Sequence, residues 1–353
     1  MNYYSQLLQT SIKIIIRYFV VVEYLQKYLV IFMLSVLSTS MISAEPYEPE
    51  PYWTGTLGPM NIRSLSPGQA LRLAPVPRSP YGLPDGETEL QFHIAGASIF
   101  LQLEDEYLID FNFTDTRLAY NHGFGNGWSA ELSFNDRRIV NLNLDEVVEG
   151  FHDMFGIEQN GRDQNLNETH LFIRQSSVDA GNEINGIFSQ TLGVTIQKVI
   201  IDKSVKWPAL AVIVNMGLET YSDGMIEDGA FDYGVQLSMA QKQSAGYVFS
   251  NLSYTHFGSN RVLKVIPLSK KQLSGMFGYE YTVDENEAII IQYLFSEGVL
   301  KNLGALDDVT HEIHLGYKWR TDSNIFEVGI VENIVNFDNG PDVAFTMGLT
   351  HRL

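Results

Sequence analysis

The stretch VTHEIHLGYKWR places Val309, His311, Ile313, Leu315, Tyr317 and Trp319 on one side of an extended chain and Thr310, Glu312, His314, Gly316, Lys318 and Arg320 on the other. The reason is that side chains alternate faces along a strand. The pattern recurs in FDYGVQLSMAQ, in MFGYEYTV and in DVAFTMGLTHRL, which closes the chain. A soluble sandwich alternates too, but its strands are usually about five or six residues long. These runs extend for about ten residues or more, the length a tilted strand needs to cross a bilayer. The second face carries Asp, Glu, Gln, Lys and Arg beside glycine, as expected of a wall with lipid on one side and a polar lumen on the other.

Connection lengths follow the same logic. RTDS, VDEN, QKQSA and DKSVK are tight, whereas 219–230, 257–273, 297–308 and 333–341 are longer and rich in Gly, Asn and Asp. Short turns on one rim and long loops on the other are typical of outer-membrane barrels. Trp128, Trp207 and Trp319 fall at predicted strand ends, where aromatic girdles meet lipid headgroups.

Counting back from Leu353 predicts strands near 342–353, 323–333, 309–320, 286–297, 273–283, 245–257, 230–241, 208–219, 189–202, 167–177, 127–137 and 105–122. In the last of these the apolar positions change parity, from Ile109, Phe111 and Phe113 to Leu118 and Tyr120. Either a bulge lies near Thr114 or the segment is a hairpin, and ELQFHIAGASIF then raises the count to about 14. The expected fold is therefore an all-β, transmembrane antiparallel β-barrel of 12 to 14 strands over 87–353.

One segment departs from strand periodicity. NLDEVVEGFHDMFGI sets Val147, Val148, Phe151 and Phe155 at helical spacing, with Asp145, Glu146, Glu149, His152 and Asp153 largely opposite. This predicts a short amphipathic helix capping a rim or lying at the interface. His152, flanked by carboxylates, is expected to pack rather than react.

Nine of the twelve prolines lie between Pro46 and Pro84, which separates 45–86 from the strand-rich remainder. That segment is expected to be either a periplasmic tail or a strap folded into the barrel. Upstream, Lys27 precedes the apolar YLVIFMLSVLSTSMISA, and small residues lead into EPYEPEP, so 1–44 reads as an export signal cleaved after Ala44. A further apolar stretch, IKIIIRYFVVVEYL, is most simply explained by a start assigned upstream of the true one.

The formal charge of −19 becomes −21 once Lys13, Arg17, Lys27 and Glu23 leave with the signal. So acidic a chain lacks the basic footprint of a nucleic-acid binder. The absence of cysteine excludes disulfides, thiolate metal sites and a cysteine nucleophile. No cofactor motif is present, and the loop carboxylates Glu219, Asp223, Glu227, Asp228, Asp307, Asp308, Asp338 and Asp342 lack calcium-loop spacing.

The chain resembles a Gram-negative outer-membrane family catalogued as domain of unknown function 3187. The resemblance is carried by LDEVVEGFHDMFGIEQNGR, by NIRSLSPGQALRLAPVP following an export signal, and by AIIIQYLF. It implies an outer-membrane barrel without an assigned activity. The final strand also resembles the signal read by the barrel assembly machinery, although Leu353 stands in place of the usual phenylalanine.

Two sets of residues merit testing as sites. Asp232, Gln236, Glu280, Gln292, Glu312, His314, Lys318, Arg320 and Arg352 are predicted to face the lumen, where mixed charges either line a water-filled channel or pair off and plug it. YTHFGSNR invites comparison with outer-membrane lipid hydrolases, but Ser259 is three residues from His256, and a regular strand points them apart. The functional expectation is a monomeric barrel among outer-membrane lipids and lipopolysaccharide, acting as a passive channel for small solutes. The alternatives are a lipid-modifying hydrolase or a closed structural barrel.

Overall fold

The computed structural model describes residues 55–103, 106–140, 142, 144–155, 169–174, 177–179, 186–202, 207–223, 225–227, 229–333, 335 and 339–353. The expected export signal, 1–44, lies outside them. Twelve long strands form the wall: β1 (Thr88–Leu103), β2 (Tyr107–Gly125), β3 (Trp128–Ile139), β6 (Gly186–Ile201), β7 (Ala209–Tyr221), β8 (Phe231–Gln243), β9 (Gly246–His256), β12 (Lys271–Thr282), β13 (Glu287–Ser296), β14 (Thr310–Arg320), β15 (Asn324–Asn333) and β16 (Val343–Arg352). Each pairs antiparallel with its sequence neighbour in the wall, and β1 pairs with both β2 and β16, which closes the sheet and leaves no free edge. Four minor strands are β4 (His170–Ile173) and β5 (Val178–Asp179), which extend from β2, and the pair β10 (Arg261–Val262) and β11 (Ile266–Pro267).

The total of twelve agrees with expectation, but its membership differs. Among the described residues the region 167–177 contributes the four-residue β4, while ELQFHIAGASIF supplies the long β1. Nor is there a bulge or hairpin at Thr114, because β2 pairs with β1 without interruption from Tyr107 to His122. The backbone parity never changes: Ile109, Phe111, Phe113, Asp115 and Arg117 all lie on the buried face, and Leu118 and Tyr120 on the exposed one. What changes is the chemistry of the interior, which is apolar near the long loops and charged below them.

The outer surface carries Leu132, Leu192, Val235, Leu252, Ile291 and Leu315, all exposed, while their strand neighbours Ser133, Gly193, Gln236, Asn251, Gln292 and His314 are shielded or open onto the interior. This inversion of the soluble pattern, apolar outside and polar inside, is that of a transmembrane barrel. Among the described residues no helix is long and apolar enough to span a membrane.

Among the described residues two α-helices accompany the strands: α1 (Pro67–Ala70) and α2 (Asp145–Phe155). The second occupies the predicted position between β3 and β4. Val148 is buried there, whereas Val147 is exposed rather than sharing the packed face. The side chains of Phe151, His152 and Phe155 lie outside the described residues.

Residues 55–86 run through the barrel, which decides between tail and strap. The chain starts at the short-turn rim, where Arg320 donates to the Gly55 carbonyl at 3.3 Å. It ascends along β12 to β15 and turns in α1, whose Gln69 amide donates to the Glu297 carbonyl at 3.1 Å near the loops. Proline at the start of α1 suits a helix's first position, where the missing N–H would have no partner. The chain then descends past β8 and β9 and returns to the short-turn rim, where the Gly86 N–H donates to the Gly123 carbonyl at 3.0 Å. Met60 and Leu65 of this strap are wholly buried and join Ala95, Ile99, Phe111 and Phe113 in the principal apolar cluster. Burial of each large side chain contributes about 1.5–3 kcal/mol.

Candidate functional site

An extended segment inside a barrel cannot satisfy its own N–H and C=O groups, so the wall must supply partners. The ascending limb finds them on inward-facing residues of β12, β13 and β14. Glu280 accepts from the Thr56 hydroxyl and the Gly58 N–H, both at 2.7 Å. Gly58 has φ +78°, a left-handed conformation that glycine adopts without strain and that aims its N–H at the carboxylate. Gln292 accepts from the Met60 N–H at 3.0 Å, and Glu312 accepts from the Ser64 hydroxyl at 2.9 Å and the Leu65 N–H at 3.0 Å. The Gln292 amide donates to His314 Nδ1 at 3.1 Å, which leaves the Nε2–H of His314 to donate to Glu312 at 3.3 Å.

Lys318 donates to the Pro59 carbonyl at 2.6 Å and pairs with Glu327 at 2.8 Å. On the descending limb Asp232 accepts from the Leu73 N–H at 3.0 Å, and Gln236 donates to the Val76 carbonyl at 3.1 Å. The predicted residues Asp232, Gln236, Glu280, Gln292, Glu312, His314, Lys318 and Arg320 thus all bind the strap or a neighbour that binds it, rather than lining an empty channel. Arg352 instead reaches Glu87 at the short-turn rim, 2.5 Å from Nε to the carboxylate.

The strap divides the interior. On one side a polar cavity is lined by Glu89, Gln91, His93, Tyr81, Lys318 and Glu327, among others. On the other lies a cavity whose lining is rich in arginine: Arg63, Arg72, Arg78, Arg117 and Arg137. Arg63 forms a bidentate pair with Asp115, while Arg78 and Arg117 share one oxygen of Glu131. Arg137 is fully buried and donates to Ser189 at 3.0 Å, with Asp115 3.5 Å from its Nε. Ser189 in turn donates to Glu219 at 2.9 Å. Arg72 lies 3.9 Å from the centre of the Phe257 ring and donates to the Ser259 carbonyl at 2.6 Å.

This arginine cluster escaped the sequence reading. The signal was there, since Asp115, Arg117, Glu131 and Arg137 follow the inward parity of β2 and β3. However, Arg63, Arg72 and Arg78 belong to a segment without periodicity, and only the fold brings them to the wall.

The structure does not assemble His256 and Ser259. His256 stacks on the outward Tyr233 ring at 5.0 Å between centroids, and its Nδ1 has no hydrogen-bond partner. The Ser259 hydroxyl is buried and donates to the Arg261 carbonyl at 3.0 Å, which fixes a local turn. Among the described residues, no group of three or more acidic or histidine side chains is placed to hold a metal ion.

Comparison with one solved structure supports the architecture, and two others are reported beside it. The COG4313 outer membrane channel from Pseudomonas putida F1 is 10% identical, with a TM-score of 0.51 over 79% of this chain and 100% of that one. The NanC porin is 9% identical, with a TM-score of 0.42 over 74% of this chain and 100% of that one. The translocator domain of the autotransporter NalP from Neisseria meningitidis is 10% identical, with a TM-score of 0.40 over 77% and 90%. At such identity the likeness to the first is one of fold. No curated protein matches the chain. A family model described as protein of unknown function (DUF3187) matches residues 34–353, and the chain belongs to that family.

Proposed function

We propose that this protein is a monomeric outer-membrane barrel acting as a passive port for small solutes, with the internal strap as its constriction. The observation that carries this reading is a polar inner wall with a polar cavity left on each side of the strap. Mixed charges lining a water-filled space set which solutes enter it. Residues 1–44 would direct export, and the C-terminal strand would be read by the assembly machinery. The apolar outer face would meet outer-membrane lipids, with acidic loops toward lipopolysaccharide.

A closed structural barrel is the second reading, favoured by the number of inward side chains already engaged by the strap. Single-channel recording of the refolded full chain in planar bilayers separates the two. Discrete openings are expected of a port, and demonstrably folded protein that stays silent would overturn it in favour of the closed barrel.

A further inference from the structure

The arginine-lined cavity holds hydrogen-bond donors that the protein does not use. Arg72 and Arg137 are each at least nine-tenths buried, yet Arg72 Nη1 and Arg137 Nη2 have no partner, and neither do Arg78 Nε and the second oxygen of Glu131. Leaving buried charged groups unsatisfied is costly, and each such group calls for a partner. A guanidinium offers a planar fork that matches a carboxylate.

Charge limits what can fill the site. Among the described residues, the guanidinium groups of Arg63, Arg72, Arg78, Arg117 and Arg137 meet the carboxylates of Asp115, Glu131, Glu219 and Asp232. With all nine groups ionised the formal excess is a single positive charge, in a chain of formal charge −19. One monovalent anion balances it, whereas a phosphate dianion would overshoot and meet repulsion from Glu219 and Asp232. Ser133, Asn135, Thr191 and Asn215 complete a lining of hydroxyl and amide groups suited to a hydroxylated solute.

We propose that this cavity is a binding site for a small monocarboxylate, whose carboxylate bridges Arg72 and Arg137 and whose hydroxyl groups turn toward Glu131 and the amide lining. Because this adds a ligand class to the proposed port, the two ideas are tested separately: binding at equilibrium, and transport by conductance. A port that fails leaves the binding measurement intact.

The experiment is calorimetric titration of the refolded full chain in micelles with lactate, at constant ionic strength, against lactamide and phosphate. Saturable lactate binding is expected, weakened at least tenfold in Arg72→Gln and in Arg137→Lys, with folding of each variant verified by its heat-modifiable gel mobility. Arg72 bonds only a loop carbonyl, so its variant keeps the test alive if Arg137→Lys does not fold. Lactamide binding as tightly as lactate, phosphate binding more tightly, or wild-type affinity in the folded variants would overturn the proposal.

Discussion

Lys318 and Glu327 sit directly opposite each other in the β14–β15 ladder, and their charged ends meet at 2.8 Å inside the barrel. Both also grip the strap: Lys318 through the Pro59 carbonyl, Glu327 through the Asn61 N–H at 3.2 Å. Removing one member of a buried pair leaves the other charge uncompensated, which typically costs about 3–5 kcal/mol. Lys318→Met is therefore expected to destabilise the barrel by about 3 kcal/mol, measured as a lowered urea midpoint, and Lys318→Met with Glu327→Gln to recover part of it. Losses of the two single variants that simply add in the double variant would show that the pair is not coupled.

Gly316 and Gly329 are also ladder partners, and the Met60 side chain fills the space where their Cβ atoms would stand. Introducing a branched side chain there overpacks the contact, at about 1–3 kcal/mol. Gly316→Val is expected to push the strap away from β14 while the wall survives. Proteolysis within 55–86 should accelerate and conductance should rise, with heat-modifiable mobility retained. Unchanged cleavage and conductance would mean that Met60 does not anchor the strap.

Glu87 and Arg352 join the start of the first wall strand to the end of the last, and Leu353 N–H adds a bond to the Thr88 carbonyl at 3.0 Å. The hydrogen bond from Arg352 holds the Glu87 carboxyl below its ordinary value of 4.5. A depressed carboxyl stabilises the folded state above its unfolded pKa and loses that contribution as pH falls through the folded one. The melting-temperature advantage of the wild type over Glu87→Gln should be present at neutral pH and vanish on acidification below 4.5. A constant difference across that window would mean that the clasp does not titrate.

Trp128 and Trp207, 47% and 61% exposed, flank short turns, and Trp319 stacks on Phe326 at 4.9 Å near the same rim. In a bilayer they belong at one interface. Brominated lipids labelled near the headgroup should quench tryptophan emission more than those labelled at mid-chain, and Trp128→Phe should reduce that quenching. Stronger mid-chain quenching would place this rim deeper than a girdle.

How far the sequence could be read is seen at β2. Period-two alternation was legible on either side of Thr114, from Ile109 to Phe113 and from Leu118 to Tyr120, because a strand's geometry is local and each residue reports its own face. Whether the odd positions looked inward was not legible, since Phe113 and Asp115 share a face but lie in an apolar cap and a charged lumen respectively. The alternation therefore looked broken where the structure shows it continuous. Glu312, His314 and Lys318 were legible as lumen residues for the same local reason.

By itself the sequence determined the kind of wall: long strands, apolar toward lipid and polar toward the interior, with tight turns on one rim. Only the tertiary structure decided what the interior contains. The strap has neither strand nor helix periodicity, and its position depends on contacts such as Leu65 with Glu312, 247 residues apart. No local pattern encodes a partner at that distance. Closing the barrel brings the two together, and it gathers Arg72 and Arg137 around one cavity by the same means.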